Sequence, residues 1–249
     1  MRNYFTLDGV DSRDFGVYLS GQGTFGAPSK AYTYHDVPGR NGALIGSEKR
    51  YNNIEVTYPA FIYANFKQNI SDLRNFLLSR DGYVRLTDTY NSGEFRLASY
   101  VGAFEPDVAK RNDAGQFDIT FNCKPQRWLT SGQTPIYGSK TSITNPTRYP
   151  AKPLFQIYIS GELDFYFGDY VFTSTGLADA GVTSLYIDCE TMQCYSGYKN
   201  INSNIRITRL VDGVFSNAYD FPTIPPLSTV QISASSGTTW NITPRWWQL

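Results

Sequence analysis

The chain has 249 residues with 41% apolar content, and its 19 Tyr and 16 Phe supply large rings for β cores. At roughly 100–150 residues per domain, this length predicts two domains. Its 22 Lys and Arg balance 22 Asp and Glu, which excludes a strong overall field steering the molecule onto nucleic acid or anionic lipid. No uncharged apolar run approaches the roughly 20 residues of a bilayer crossing.

The start, Met1-Arg2-Asn3-Tyr4-Phe5-Thr6-Leu7-Asp8, alternates polar and apolar residues and lacks the apolar block of a signal peptide. Synthesis and folding in a cytoplasm, without membrane insertion, are expected. Phe15 to Leu19 also alternates and predicts a strand. Gly21, Gly23 and Gly26 then match the spacing of a dinucleotide-binding loop, whose glycines let the backbone approach a pyrophosphate at a helix N-terminus. Ala27-Pro28 and the β-leaning Ala31-Tyr32-Thr33-Tyr34 follow in place of that helix, so a glycine-rich loop between strands is expected.

Ile54 to Tyr63 predicts a strand, after which the period changes. Phe66, Ile70, Leu73 and Leu77 recur at helical spacing, with Asn65 placed to cap the start and Gln68 as its capping-box partner. Asp81-Gly82 offers an exit with positive φ, so one helix is expected from about Phe66 to Arg80. Alternation returns at Tyr83 to Thr87 and is clearest from Gln116 to Lys124, where Phe117, Ile119, Phe121 and Cys123 share one face.

Pro125 to Thr141 is polar and turn-prone, with Ser131-Gly132, Pro135 and Gly138-Ser139, and it keeps neither period. A domain boundary is expected there, separating residues 1–130 from 138–249. Beyond it, Leu154 to Ile159, Leu185 to Asp188, Ile205 to Leu210, Val230 to Ala234 and Trp240 to Thr243 read as short strands. The fold class is therefore mainly β: an N-terminal β domain with one helix and a C-terminal antiparallel β-sandwich.

Catalytic resources are sparse. One histidine, His35, makes a nucleophile triad or a histidine-ligated metal centre hard to assemble and reads as a polar residue at a strand end. Cys123 falls on the apolar side of its strand and reads as a buried thiol. Cys189 and Cys194 are placed to face each other across a hairpin, so a disulfide stays open beside reduced thiols, the default in a reducing compartment. Glu162, Asp164 and Asp169 invite a glycosidase reading, but acids flanking Gly161 and Gly168 are ordinarily solvated turn residues. Asp188, Cys189 and Glu190 point alternately if extended and suit a hairpin end better than a metal. Asn69-Ile70-Ser71 and Asn241-Ile242-Thr243 match glycosylation acceptors by pattern only. No catalytic, cofactor-binding or metal-binding residues are assigned, no cofactor is expected, and an enzyme is not expected.

Leu7-Asp8-Gly9 leading into Asp14-Phe15-Gly16-Val17 resembles the opening strand pair of siphophage distal tail (Dit) proteins. Val37-Pro38-Gly39-Arg40-Asn41-Gly42 is similar to that family's glycine-containing turn, Tyr51 to Tyr63 to its next long strand, and Gly115 to Pro125 to the strand closing its N-terminal domain. Ile143-Thr144-Asn145-Pro146, Ile187-Asp188-Cys189-Glu190, Asp220-Phe221-Pro222 and Pro244-Arg245-Trp246-Trp247 resemble its galectin-like sandwich, while Tyr195 to Asn204 departs furthest from the pattern. The resemblance implies a homohexameric ring at the distal end of a phage tail, made in the bacterial host cytoplasm and carried by the N-terminal domain. It implies as partners the major tail tube protein, the tape-measure protein, the tail-associated tip protein and receptor-binding proteins, with DNA only in transit. The rival reading is a carbohydrate-binding sandwich, with Trp240, Trp246 and Trp247 as candidates to stack on sugars. Aromatic residues at strand period are first of all core formers, which favours packing.

Overall fold

A computed structural model describes residues 2–21, 23, 25–100, 102, 106–109, 113–138 and 141–249. They form a first unit running to Arg127 and including Leu249, and a second unit, Trp128–Gln248. The fold is mainly β with antiparallel pairing, as the alternation requires, and the sole α-helix among the described residues lies in the first unit.

The first unit contains β1 (Phe5–Leu7), β2 (Val10–Asp11), β3 (Val17–Leu19), β4 (Lys30–Asp36), β5 (Ala43–Tyr51), β6 (Ile54–Ile62), α1 (Phe66–Leu78), β7 (Val84–Asp88), β8 (Glu94–Ser99), β9 (Asp107–Ala109) and β10 (Ala114–Leu129) up to Arg127. Its main sheet runs β2-β1-β7-β8-β10-β6-β3, with β9 also on β10. The register between β6 and β10 places Val56 opposite Phe121, Tyr58 opposite Ile119 and Ala60 opposite Phe117. All six are buried, so the period-two pattern of both strands feeds one face. Leu73 and Leu77 of α1 bury against that face, and Phe66 joins the same core.

The helix starts differently from the capping expectation. Asn65 sits at φ 53° and makes no side-chain cap hydrogen bond; an N-cap side chain reaches its amides from extended backbone, which this residue does not adopt. Gln68 donates instead to Asp72, and the Asn69 side chain donates back to the Ala64 carbonyl. The Phe66 amide is satisfied by the Asp113 carbonyl at 3.2 Å. The expected strand from Phe15 also starts late: Ser12–Phe15 is a 3-10 turn closed by Gly16 at φ 64°, and pairing begins at Val17.

The stretch read as lacking any period is ordered locally. β10 continues through Pro125 to Leu129, Thr130–Gln133 forms a 3-10 turn, and Ile136–Tyr137 pairs with Asn241 and Ile242. Arg245 donates its amide to the Gly132 carbonyl at 2.7 Å. A Cβ on Gly132 would lie 2.8 Å from that of Trp246, so only glycine admits this approach. Ser139 and Lys140 lie outside the described residues.

The second unit contains β11 (Ile136–Tyr137), β12 (Ser142–Thr144), β13 (Leu154–Tyr158), β14 (Asp164–Phe167), β15 (Tyr170–Ser174), β16 (Ser184–Asp188), β17 (Gln193–Ser196), β18 (Lys199–Asn200), β19 (Ile205–Val211), β20 (Val214–Asn217), β21 (Thr229–Ala234), β22 (Thr239–Thr243) and β23 (Trp247–Gln248). Two sheets, β11-β22-β13-β16-β17-β18 and β12-β21-β14-β15-β19-β20, share one core. Phe155 of the first packs edge to face on Phe165 and Phe167 of the second, at centroid distances of 5.3 and 4.9 Å. Apolar faces meeting in this way define a β-sandwich.

Candidate assembly surfaces

β4 and β5 pair only with each other, with a bulge between Lys30 and Tyr32. Their turn spans Val37 to Gly42, and Gly39 (φ 77°) and Gly42 (φ 79°) take backbone conformations that favour glycine. Apart from Ala31, no side chain of this arm is buried; Tyr34 is 64% exposed, Ile45 63% and Leu44 50%. A two-stranded ribbon wet on both faces gains little from its own contacts. Four large apolar or aromatic side chains, counting Tyr32, are therefore held out on a ribbon that has no core of its own. His35 sits on this arm, exposed and opposite Leu44.

The other polar residues singled out in the sequence serve local structure. Glu162 accepts from the Ser174 hydroxyl at 2.6 Å and from the Gly176 amide at 3.2 Å, fixing a turn. Asp164 is exposed on β14, and Asp169 lies in the β14–β15 turn with its carbonyl accepting from the Leu210 amide. Asp188 accepts from the amides of Glu190 and Thr191, which makes it the cap of the β16–β17 turn. No cluster of three or more His, Cys, Asp or Glu able to hold a metal occurs among the described residues. Cys123, Cys189 and Cys194 are buried free thiols. Burial pushes the Cys123 and Cys194 thiols up to about 12 and raises that of Cys189, so all three stay protonated near neutrality. Gly21 and Gly23 have positive φ and no helix follows before β4; Gln22 and Thr24 of that motif lie outside the described residues.

The three candidate tryptophans, Trp240, Trp246 and Trp247, are engaged in packing. Trp240 and Trp246 are buried in the sandwich core. Trp247 stacks on Tyr149 at 4.5 Å and donates its indole N–H to the Pro150 carbonyl. A cleft opens beside the β14–β15 turn, β19, the segment 220–225 and β21, with a volume of about 570 Å³, and the Asp220-Phe221-Pro222 stretch lines part of it. In it the Tyr170 hydroxyl donates to Asp220 at 2.8 Å, and the Arg209 guanidinium lies 5.1 Å from the centre of the Tyr170 ring.

Residues 12–123, which contain the arm, α1 and most of the main sheet, match the family model of the phage tail protein RIFT-related domain. No curated protein matches the chain. Among solved structures the chain is similar over 100% of its length, and 100% of the other's, to SPP1 Dit, a paradigm of the hub adsorption apparatus in phages infecting Gram-positive hosts, at 15% identity and TM-score 0.70. Weaker likeness, at 11% identity and TM-score 0.44, extends to chains of the phage P2 baseplate activated with Ca and with Sr, over 97% of this chain and 98% and 97% of theirs. Residues 12–123 are thus similar to a phage tail domain. Over its whole length the chain shares the fold of SPP1 Dit.

Proposed function

We propose that the protein is the distal tail hub of a long-tailed phage, a homohexameric ring at the virion tail tip. The ring joins the tail tube to the tip or baseplate proteins and encloses the path of the tape-measure protein and the DNA. The observation that carries this reading is the β4–β5 arm, which lies in the segment similar to a phage tail domain, joins no other sheet and exposes Tyr34, Leu44 and Ile45. An arm of this kind gains its stability on a neighbouring subunit, and a heterologous contact repeated by rotation closes a ring. The reading asks for no catalytic group, and the role is structural. The second unit then serves as a docking or spacing module for tip and receptor-binding proteins.

Negative-stain microscopy of the purified full-length chain, with light scattering across concentration, tests the proposal. Six-membered rings with a central hole are expected. Monomer at every concentration, together with no ring of this chain in isolated tail tips, would overturn it.

A further inference from the structure

The cleft beside Tyr170 does not stand alone. A second hollow of about 440 Å³ shares Arg209 and Asp220 with it and is bordered by Tyr219, which is 94% exposed. Together they make a groove within the second unit whose middle is marked by one guanidinium and one carboxylate and whose far end carries a bare aromatic ring. Phe221, Pro222 and Pro225 supply apolar surface to the cleft, and Thr229 and Gln231 supply further polar groups. The volume is in the range of ligand sites, and the mixture of apolar wall with a few convergent polar groups is the usual composition of one.

The polar groups are arranged before any ligand arrives. The Tyr170 hydroxyl donates to Asp220, and burial followed by that hydrogen bond pushes the hydroxyl up to about 12, so the donor persists at physiological pH. One carboxylate oxygen of Asp220 takes that bond, which leaves the other to accept from a ligand. The Arg209 guanidinium carbon lies over the Tyr170 ring, 5.1 Å from its centre, and the group carries five N–H donors. An acceptor and a donor set lining the same cleft match a pair of neighbouring hydroxyls, each of which donates and accepts.

The same groups disfavour other ligand classes. Asp169 and Asp220 outnumber Arg209 in the cleft, so an anion meets net repulsion. A hydrocarbon would strip water from three charged groups without replacing its hydrogen bonds. We infer that the Arg209–Asp220 groove binds a neutral oligosaccharide, with Tyr219 as a stacking platform for a flanking sugar ring. This site is separate from the three tryptophans, which the fold uses for packing, and it does not depend on the ring proposal.

Saturation-transfer NMR and calorimetry on the full-length protein with maltotetraose, cellotetraose and chitotetraose, and with dextran sulfate as the anionic comparison, test this. At least one neutral sugar should bind. Arg209→Gln and Asp220→Asn should each weaken it about tenfold, the loss expected on removing a charged hydrogen-bond partner, and Tyr219→Ala should weaken it less. Trp247→Ala should leave it unchanged. Asp220→Asn retains an acceptor for Tyr170, so its fold is kept, and circular dichroism checks this for each variant. No binding of any neutral sugar, stronger binding of dextran sulfate, or binding that survives both groove substitutions would overturn the inference. Ring images of the same variants report separately on assembly, so failure of one reading is distinguishable from failure of the other.

Discussion

Arg245 closes on Asp188 through two parallel hydrogen bonds, Nη1 to Oδ1 at 2.7 Å and Nη2 to Oδ2 at 3.0 Å. The same carboxylate accepts from the Glu190 and Thr191 amides, so one group ties the β16–β17 turn to the segment that carries Trp246. Burial works against the Asp188 carboxylate, but the bonds from Arg245 and the two amides outweigh it and hold its pKa below the ordinary value. Arg245→Gln should therefore lower stability by about 2 kcal/mol, the scale of hydrogen bonds to charged groups, and Arg245→Lys should recover only part because it cannot form the fork. A depressed folded pKa means that the contribution is present above the unfolded value and is lost as pH falls through the folded one. Thermal melts of wild type and Arg245→Gln should thus differ at neutral pH and converge below about pH 4. A gap that widens on acidification would contradict this.

Gly115 faces the first ring of α1. A Cβ there would strike Phe66 and come within 2.8 Å of the Asp107 carbonyl oxygen, and the backbone atom cannot yield as a side-chain tip does. Gly115→Ala should lower stability by about 2 kcal/mol through overpacking. Adding Phe66→Leu should restore part of it, a coupling that a double-mutant cycle in urea measures. Strict additivity would show that the two sites do not press on each other.

Much of this fold is legible in the sequence because its strands alternate cleanly. The faces of β10 and the apolar stripe Phe66, Leu73, Leu77 of α1 follow directly from period, and the burial of Trp240 follows from its place beside Ile242 in β22. The arm is less legible: both faces of β4 and β5 are wet, so their residues carry no buried-side periodicity even where their β propensity is high. The end of β10 is hidden for another reason, since Pro125 and polar neighbours mimic a linker while the strand persists at half-buried positions. The groove around Arg209 and Asp220 joins residues far apart in the chain, from β15, β19 and the segment before β21, and spacing along the chain does not encode such a meeting.

The three thiols are all buried with raised pKa, and thiolate is the reactive form. Iodoacetamide at neutral pH should leave the native protein almost unlabelled and modify all 3 cysteines in denaturant. Reducing agent alone should not change the assembly state. Replacing Cys189 and Cys194 by Ala should also leave assembly intact, while Cys123→Ala should cost about 1 kcal/mol of packing in the first unit. Rapid labelling of the native state, read by intact mass, would show that one of these sites opens readily.

Self-association should follow the arm and the first unit. Tyr34 and Ile45 sit opposite each other in the β4–β5 register, and neither contributes to the buried core, so replacing both with Ser removes exposed apolar area without touching the packing that holds the unit together. The double variant should keep the wild-type melting temperature of its monomer and associate at least about tenfold more weakly, as expected for losing two exposed anchors at an interface. The two units have separate cores, which predicts that residues 1–127 and 128–249 expressed apart will each fold. Keeping Trp128 to Gln133 with the second fragment matters, because Leu129 donates its amide to the Trp246 carbonyl and Gly132 seats Trp246. Sedimentation of the two fragments should show association in the first, abolished or weakened by the Tyr34 and Ile45 substitutions, and monomer in the second. A monomeric first fragment beside a self-associating second one would move the ring contacts to the sandwich, where the exposed Val214 and Phe215 of β20 would be the next surface to substitute.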